Sequence, residues 1–112
     1  MDIYDSEANT WKTAKLSAAR STIGGIGVQH LAFFAGGNGA SNVASSTVDI
    51  YNSVTDTWTT DTLPDGARNS IYAGAAGNNA VFGCGKLSSN YPTAVDIYSV
   101  VPVAQTSGTY CF

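Results

Sequence analysis

Charge is what this sequence has least of. Of its 112 residues 12% are charged, about half the share usual in soluble domains. Five are basic, Lys12, Lys15, Arg20, Arg68 and Lys86, and no two of them are adjacent. With a net charge of −3 and an isoelectric point near 4.6, the chain lacks the clustered cations that neutralise phosphates. That argues against nucleic acid and against an anionic membrane surface as partners. Histidine occurs once, at His30, too few for a multi-histidine metal site or for a histidine-centred triad with spare partners. Cysteine occurs twice, at Cys84 and Cys111. Two are too few for a disulfide framework, and they leave the redox compartment and the localisation open. No run of about 18 apolar residues is present to cross a bilayer as a helix. The opening MDIYDSEANTW carries neither the basic nor the apolar region of a secretory signal.

Small polar side chains are abundant instead: Gly, Ser and Thr fill 36 of the 112 positions. That mixture suits short strands and turns better than solvated helices. A chain of this length is one small domain, able to bury roughly two thirds of its unfolded surface.

The dominant feature is a repeat. Asp2-Ile3-Tyr4 recurs as Asp49-Ile50-Tyr51 and as Asp96-Ile97-Tyr98, each 47 residues on. Trp11 matches Trp58 and Leu16 matches Leu63 at the same spacing, while Arg20 matches Arg68 and AFFAGG (32–37) matches AVFGCG (80–85) at 48. The single-residue slips fall between apolar segments, where loops tolerate them and strands do not. Each unit reads as four short strands, 21–29, 30–37, 47–51 and 56–62 in the first full copy, and 69–77, 79–85 and 93–98 in the next. ANTWKTAKLSAAR (8–20) has helix formers, but its repeat partner holds five threonines, a proline and a glycine. Equivalent units fold alike, so both are expected to be strand followed by loop.

A double glycine, then a tyrosine, then a tryptophan after six intervening residues resembles the kelch repeat, a β-propeller blade with a period of about 50 residues. Gly36-Gly37, Tyr51 and Trp58 carry the full pattern; Tyr4 and Trp11 carry its end; Gly83-Cys84-Gly85 and Tyr98 carry its start, with Gln105 where the tryptophan would fall. The resemblance implies an all-β fold of antiparallel four-stranded blades in an incomplete, open propeller. It divides the chain into the outer half of a blade (1–16), a complete blade (17–62), most of a further blade (63–105) and a tail (106–112). Because propellers use about four to eight blades, the chain is expected to be a fragment, one of several associating copies, or an incomplete gene product.

Physical roles follow for the repeat positions. Glycines ending an inner strand admit close backbone approach. Tyr and Trp bury flat areas between stacked sheets. Arg20 and Arg68 are expected to hold loop carbonyls between neighbouring blades, and Asp2, Asp49 and Asp96 to be structural members of the repeat rather than an acid–base set. Cys84, set between glycines, is expected to be buried and unpaired. His30, at the start of an apolar strand, reads as an interior or turn residue.

No catalytic constellation, cofactor motif or metal set is legible. The expected function is therefore a non-catalytic binding module that presents loops to a protein, or to a glycan, with further blades or self-association completing the assembly. The alternative is a fragment of a kelch-type enzyme, similar to galactose oxidase or a sugar epimerase, whose active-site residues lie in other blades. The loops that differ between units while their strands repeat, NGASNVASS (38–46) and KLSSNYP (86–92), nominate Asn38, Asn42, Lys86, Asn90 and Tyr91 as the ligand face.

Overall fold

The computed structural model describes residues 1–101, and these form an all-β structure of three antiparallel sheets without an α-helix. Sheet I pairs β1 (Asp2–Asp5) with β2 (Thr10–Thr13). Sheet II is the four-stranded meander β3 (Gly24–Val28), β4 (Leu31–Ala35), β5 (Thr47–Asn52) and β6 (Thr57–Thr62). Sheet III is β7 (Tyr72–Ala76), β8 (Asn79–Gly83) and β9 (Val95–Ser99). Residues 8–20 are β2 followed by loop. The glycine-rich segments become strand later than their composition suggests, because Thr22 and Ser70, both at φ 53, turn the chain first. Gln105 and Cys111 lie outside the described residues.

The sequence repeat is a repeat of hydrogen bonds. Tyr4 sits opposite Trp11, and Tyr51 opposite Trp58. In the turn between them, Asp5 Oδ1 accepts the amides of Glu7 and Ala8 at 3.0 and 3.1 Å, and Asn52 Oδ1 accepts those of Val54 and Thr55 at 3.0 and 3.2 Å. Such side-chain caps offer the backbone a turn in place of a ladder. The left-handed residue closing each turn, Asn9 at φ 53 and Asp56 at φ 55, then accepts the tyrosine hydroxyl at 2.6 and 2.8 Å.

Strand alternation decides what is buried. Phe33, Ala35 and Val48 on one face of sheet II, with Ala80 and Phe82 of sheet III, form the core together with Val28, Leu63, Ile71 and Val100. Phe33 lies 6.0 Å from Phe82 and 5.4 Å from Tyr98, ring centre to ring centre. Each fully buried side chain of this size contributes about 1.5–3 kcal/mol. The double glycine makes the approach of the sheets feasible. Gly36, at φ 63, has no room for a Cβ, which would lie 2.3 Å from Ile71 Cδ1 and 2.5 Å from the Arg68 carbonyl. Gly37 donates its amide to that same carbonyl at 2.8 Å.

Cys84 departs from expectation: it is exposed, not buried. It occupies the repeat position of Gly36 with nearly the same backbone, φ 61, and no further sheet covers it among the described residues. It pairs with no cysteine among those residues.

Candidate functional site

Because each sheet is a meander, the loops after β4 and β8 and the segments leading into β3 and β7 emerge at one end. Two buried ion pairs hold that end in shape. Arg20 donates to Asp49 Oδ2 at 2.5 Å and to the carbonyls of Thr47 and Phe34 at 2.9 and 3.3 Å. Arg68 donates to Asp96 Oδ2 at 2.5 Å. All four side chains are at most 3% exposed. The second oxygen of each carboxylate takes an amide of the incoming loop, Ser17 N–H at 3.1 Å on Asp49 and Asp65 N–H at 3.3 Å on Asp96. The arginines therefore grip their own sheet rather than bridging loops of neighbouring ones, and the aspartates staple the connection to it. In both units the arginine precedes its aspartate by 29 or 28 residues, a recurrence the sequence shows without showing that the two side chains meet.

Above this base lies a groove of about 540 Å³ lined by Asn38, Asn42, Asn69, Ser70, Lys86 and Leu87, among others. It is shared between repeat units. Ser21 and Asn38 exchange both backbone hydrogen bonds at 2.9 and 2.8 Å, and Asn69 and Lys86, one period on, do the same at 2.9 and 2.8 Å. Across the units Asn69 Nδ2 donates to Asn38 Oδ1 at 2.9 Å. Asn42 is presented outward on a short helical turn, Ala40–Asn42, with Ser41 and Asn42 at φ 58 and 57. Lys86 Nζ lies 5.7 Å from the Tyr91 ring centre, a cation–π distance.

No family model matches this chain, and no curated protein matches it in sequence.

Of the five nominated residues, Asn38, Asn42 and Lys86 line the groove. Tyr91 lines an adjoining depression of about 420 Å³ with Tyr72, Cys84, Lys86 and Pro92. Asn90 instead shapes its own loop, exchanging backbone bonds with Leu87 at 3.0 and 2.9 Å. Asn69 and Ser70 were missed by sequence reasoning. Their only signal is that they replace Ser21 and Thr22 one period earlier. A larger depression of about 580 Å³, between sheets I and II, is lined by Tyr4, Asp5, Glu7, Lys12, Tyr51 and Asp56. Of its charged groups, Lys12 pairs with Asp56 and lies 5.5 Å from the Tyr51 ring centre. The Lys12 hydrogen bond, then that of Tyr51, holds Asp56 below the usual carboxylate range, and the Asp56 bond raises Lys12.

The groove offers neutral amides, the hydroxyls of Ser70 and Ser88 and one ammonium, and no carboxylate or imidazole. This is hydrogen-bonding equipment rather than proton-transfer equipment. His30 lies at the opposite end, in the β3–β4 turn, where its carbonyl accepts the amide and hydroxyl of Ser53 at 2.9 and 3.0 Å. Among the described residues no group of three or more His, Cys, Asp or Glu could hold a metal ion.

Proposed function

We propose that sheets II and III are consecutive blades of a kelch-type β-propeller, with sheet I the outer half of a preceding blade, and that the chain serves as a non-catalytic binding module. Its loop end takes an extended segment of a protein partner, with a glycan as the second ligand class. The double glycine, tyrosine and tryptophan in register, and the ordered meander of sheet II, support the propeller reading.

One observation carries the binding reading: the Asn38–Asn69–Lys86 groove is built jointly by two units, from loops whose sequences differ while their strands repeat. Amide side chains supply paired donors and acceptors, which suit a peptide backbone or sugar hydroxyls equally. The exposed Tyr91 beside Lys86 adds a flat apolar anchor of the kind enriched at protein interfaces.

A displayed peptide library and a glycan array, both probed with the 112-residue chain, test this reading. Selected ligands should bind at least tenfold more weakly by calorimetry when Asn42 and Lys86 are both changed to Ala, or when residues 38–46 and 86–92 are replaced by Gly-Ser linkers. Ligands indifferent to these changes, or no ligand from either source, would remove this end of the molecule from consideration.

A further inference from the structure

Among the described residues two sheet faces are left uncovered, and they are the two halves of an interface the chain already contains. On sheet II the face bearing Gly24, Phe33, Val48 and Ile50 meets the Phe82–Tyr98 side of sheet III. One period on, sheet III presents Tyr72, Val81, Val95 and Ile97 at those positions. Tyr72, Val95 and Ile97 are 78%, 50% and 62% exposed. At the far side of the molecule the Tyr98 position recurs as Tyr4, whose ring lies 5.0 Å from that of Trp11. These two are 48% and 70% exposed. Lys12 lies against Tyr51 of sheet II, so alternation puts the Trp11 side chain and the Tyr4 ring stacked on it on the other face of sheet I, with Tyr4 also at the rim of the depression between the two sheets. Large apolar side chains gathered this way mark contact surfaces rather than scattered exposure.

Two residues narrow what can cover sheet III. Sheet II carries glycine at 24 and 36 where the segment leading into the inner strand of the next sheet presses, tightly at 24 and without room for a Cβ at 36. A Cβ on Gly24 would lie 3.2 Å from Ile71, and one on Gly36 2.5 Å from the Arg68 carbonyl. Sheet III carries Tyr72 and Cys84 at these positions. A complete sheet seated on III as III is seated on II would drive the segment entering its inner strand into both side chains. A sheet consisting of the outer strands alone would not. Sheet I is such a sheet, since β1 and β2 correspond to β5 and β6. We infer that the uncovered face of sheet III binds the Tyr4–Trp11 face of sheet I of a second copy, head to tail, with Tyr72 filling the space an inner strand would take. The contact is heterologous, so it propagates from copy to copy. It does not depend on what the groove binds.

Sedimentation velocity across a concentration series, with complementary variants, tests this directly. Wild type should grow beyond a dimer as concentration rises. Trp11→Glu retains only a competent sheet III face and Ile97→Glu only a competent sheet I face, so each alone should sediment as an 11.6 kDa monomer. Mixed, they should form a 1:1 dimer and nothing larger. Both side chains are exposed, so the folds should survive. Trp11→Thr and Ile97→Thr carry the same comparison if circular dichroism shows either glutamate variant to be unfolded. A wild type that stays monomeric up to its solubility limit, single variants that still self-associate, or folded variants that ignore each other would each overturn the proposal.

Discussion

Asp49 is the residue on which most of the surrounding order converges. It is 2% exposed and holds a guanidinium on one oxygen and a loop amide on the other. Removing one member of a buried pair strands the other, so Asp49→Ala should lower stability by about 3–5 kcal/mol in urea unfolding. The double change Arg20→Met with Asp49→Leu should recover most of that loss, because the isosteric apolar pair leaves no charge behind. Tyr98 gives a second test at this scale. Burial first, then the carboxylates of Asp61 and Asp96, pushes its hydroxyl up to about 12 from 10.0. Below pH 10 the ring is neutral folded or unfolded, and its stabilising contribution is complete. Between pH 10 and 12 only the unfolded chain loses its proton, so stability should fall across that window. The urea midpoint of Tyr98→Phe, followed over the same range, should fall less steeply than that of wild type. The repeat in the sequence marked Asp49, Asp96, Arg20 and Arg68 as structural, but sequence spacing alone does not say that two side chains 28 or 29 residues apart meet.

At the scale of elements, strands were legible where apolar runs end in glycines, as in LAFFAGG (31–37), because continuous burial and a left-handed stop leave a clear trace. Strand starts were not, because Thr22 and Ser70 take a positive φ that non-glycine residues seldom advertise. Nor was the state of Cys84. Its neighbours suggest burial, but burial depends on whether another sheet lies above it, which is not a local property. Glycines separate the same way. Gly36→Ala combines a left-handed backbone with a Cβ inside the Arg68 carbonyl, and should cost well over 1 kcal/mol in denaturant unfolding. Gly74, with nothing within 4 Å of a Cβ, should accept Ala with a gain of about 0.5–1 kcal/mol, since a strand glycine carries excess entropy in the unfolded chain. Equal effects at the two sites would mean that the sheets do not approach as described.

For the whole molecule, the groove exists only because sheet III packs against sheet II, bringing Asn69 and Lys86 beside Asn38. The sequence identified the variable loops, yet not that Asn69 and Ser70 complete the lining, since their approach is a consequence of sheet packing rather than of loop composition. Sheet I is held differently, with the exposed Lys12–Asp56 pair among its links to sheet II. Salt screens such a pair, so raising ionic strength should loosen sheet I while leaving the sheet II–III core intact. In a Trp11→Phe variant the fluorescence of Trp58, which stacks on Tyr51 on the side toward sheet I, should change while contacts between Phe33 and Phe82 do not. The packing of the two repeat units on each other is therefore what the account stands on, and proton–proton contacts between aromatic rings measure it most directly. A nuclear Overhauser spectrum of the 112-residue chain should show Phe33 in contact with both Phe82 and Tyr98, whose ring centres lie 6.0 and 5.4 Å away. A spectrum with Phe82–Tyr98 contacts inside sheet III but none from either ring to Phe33 would contradict it.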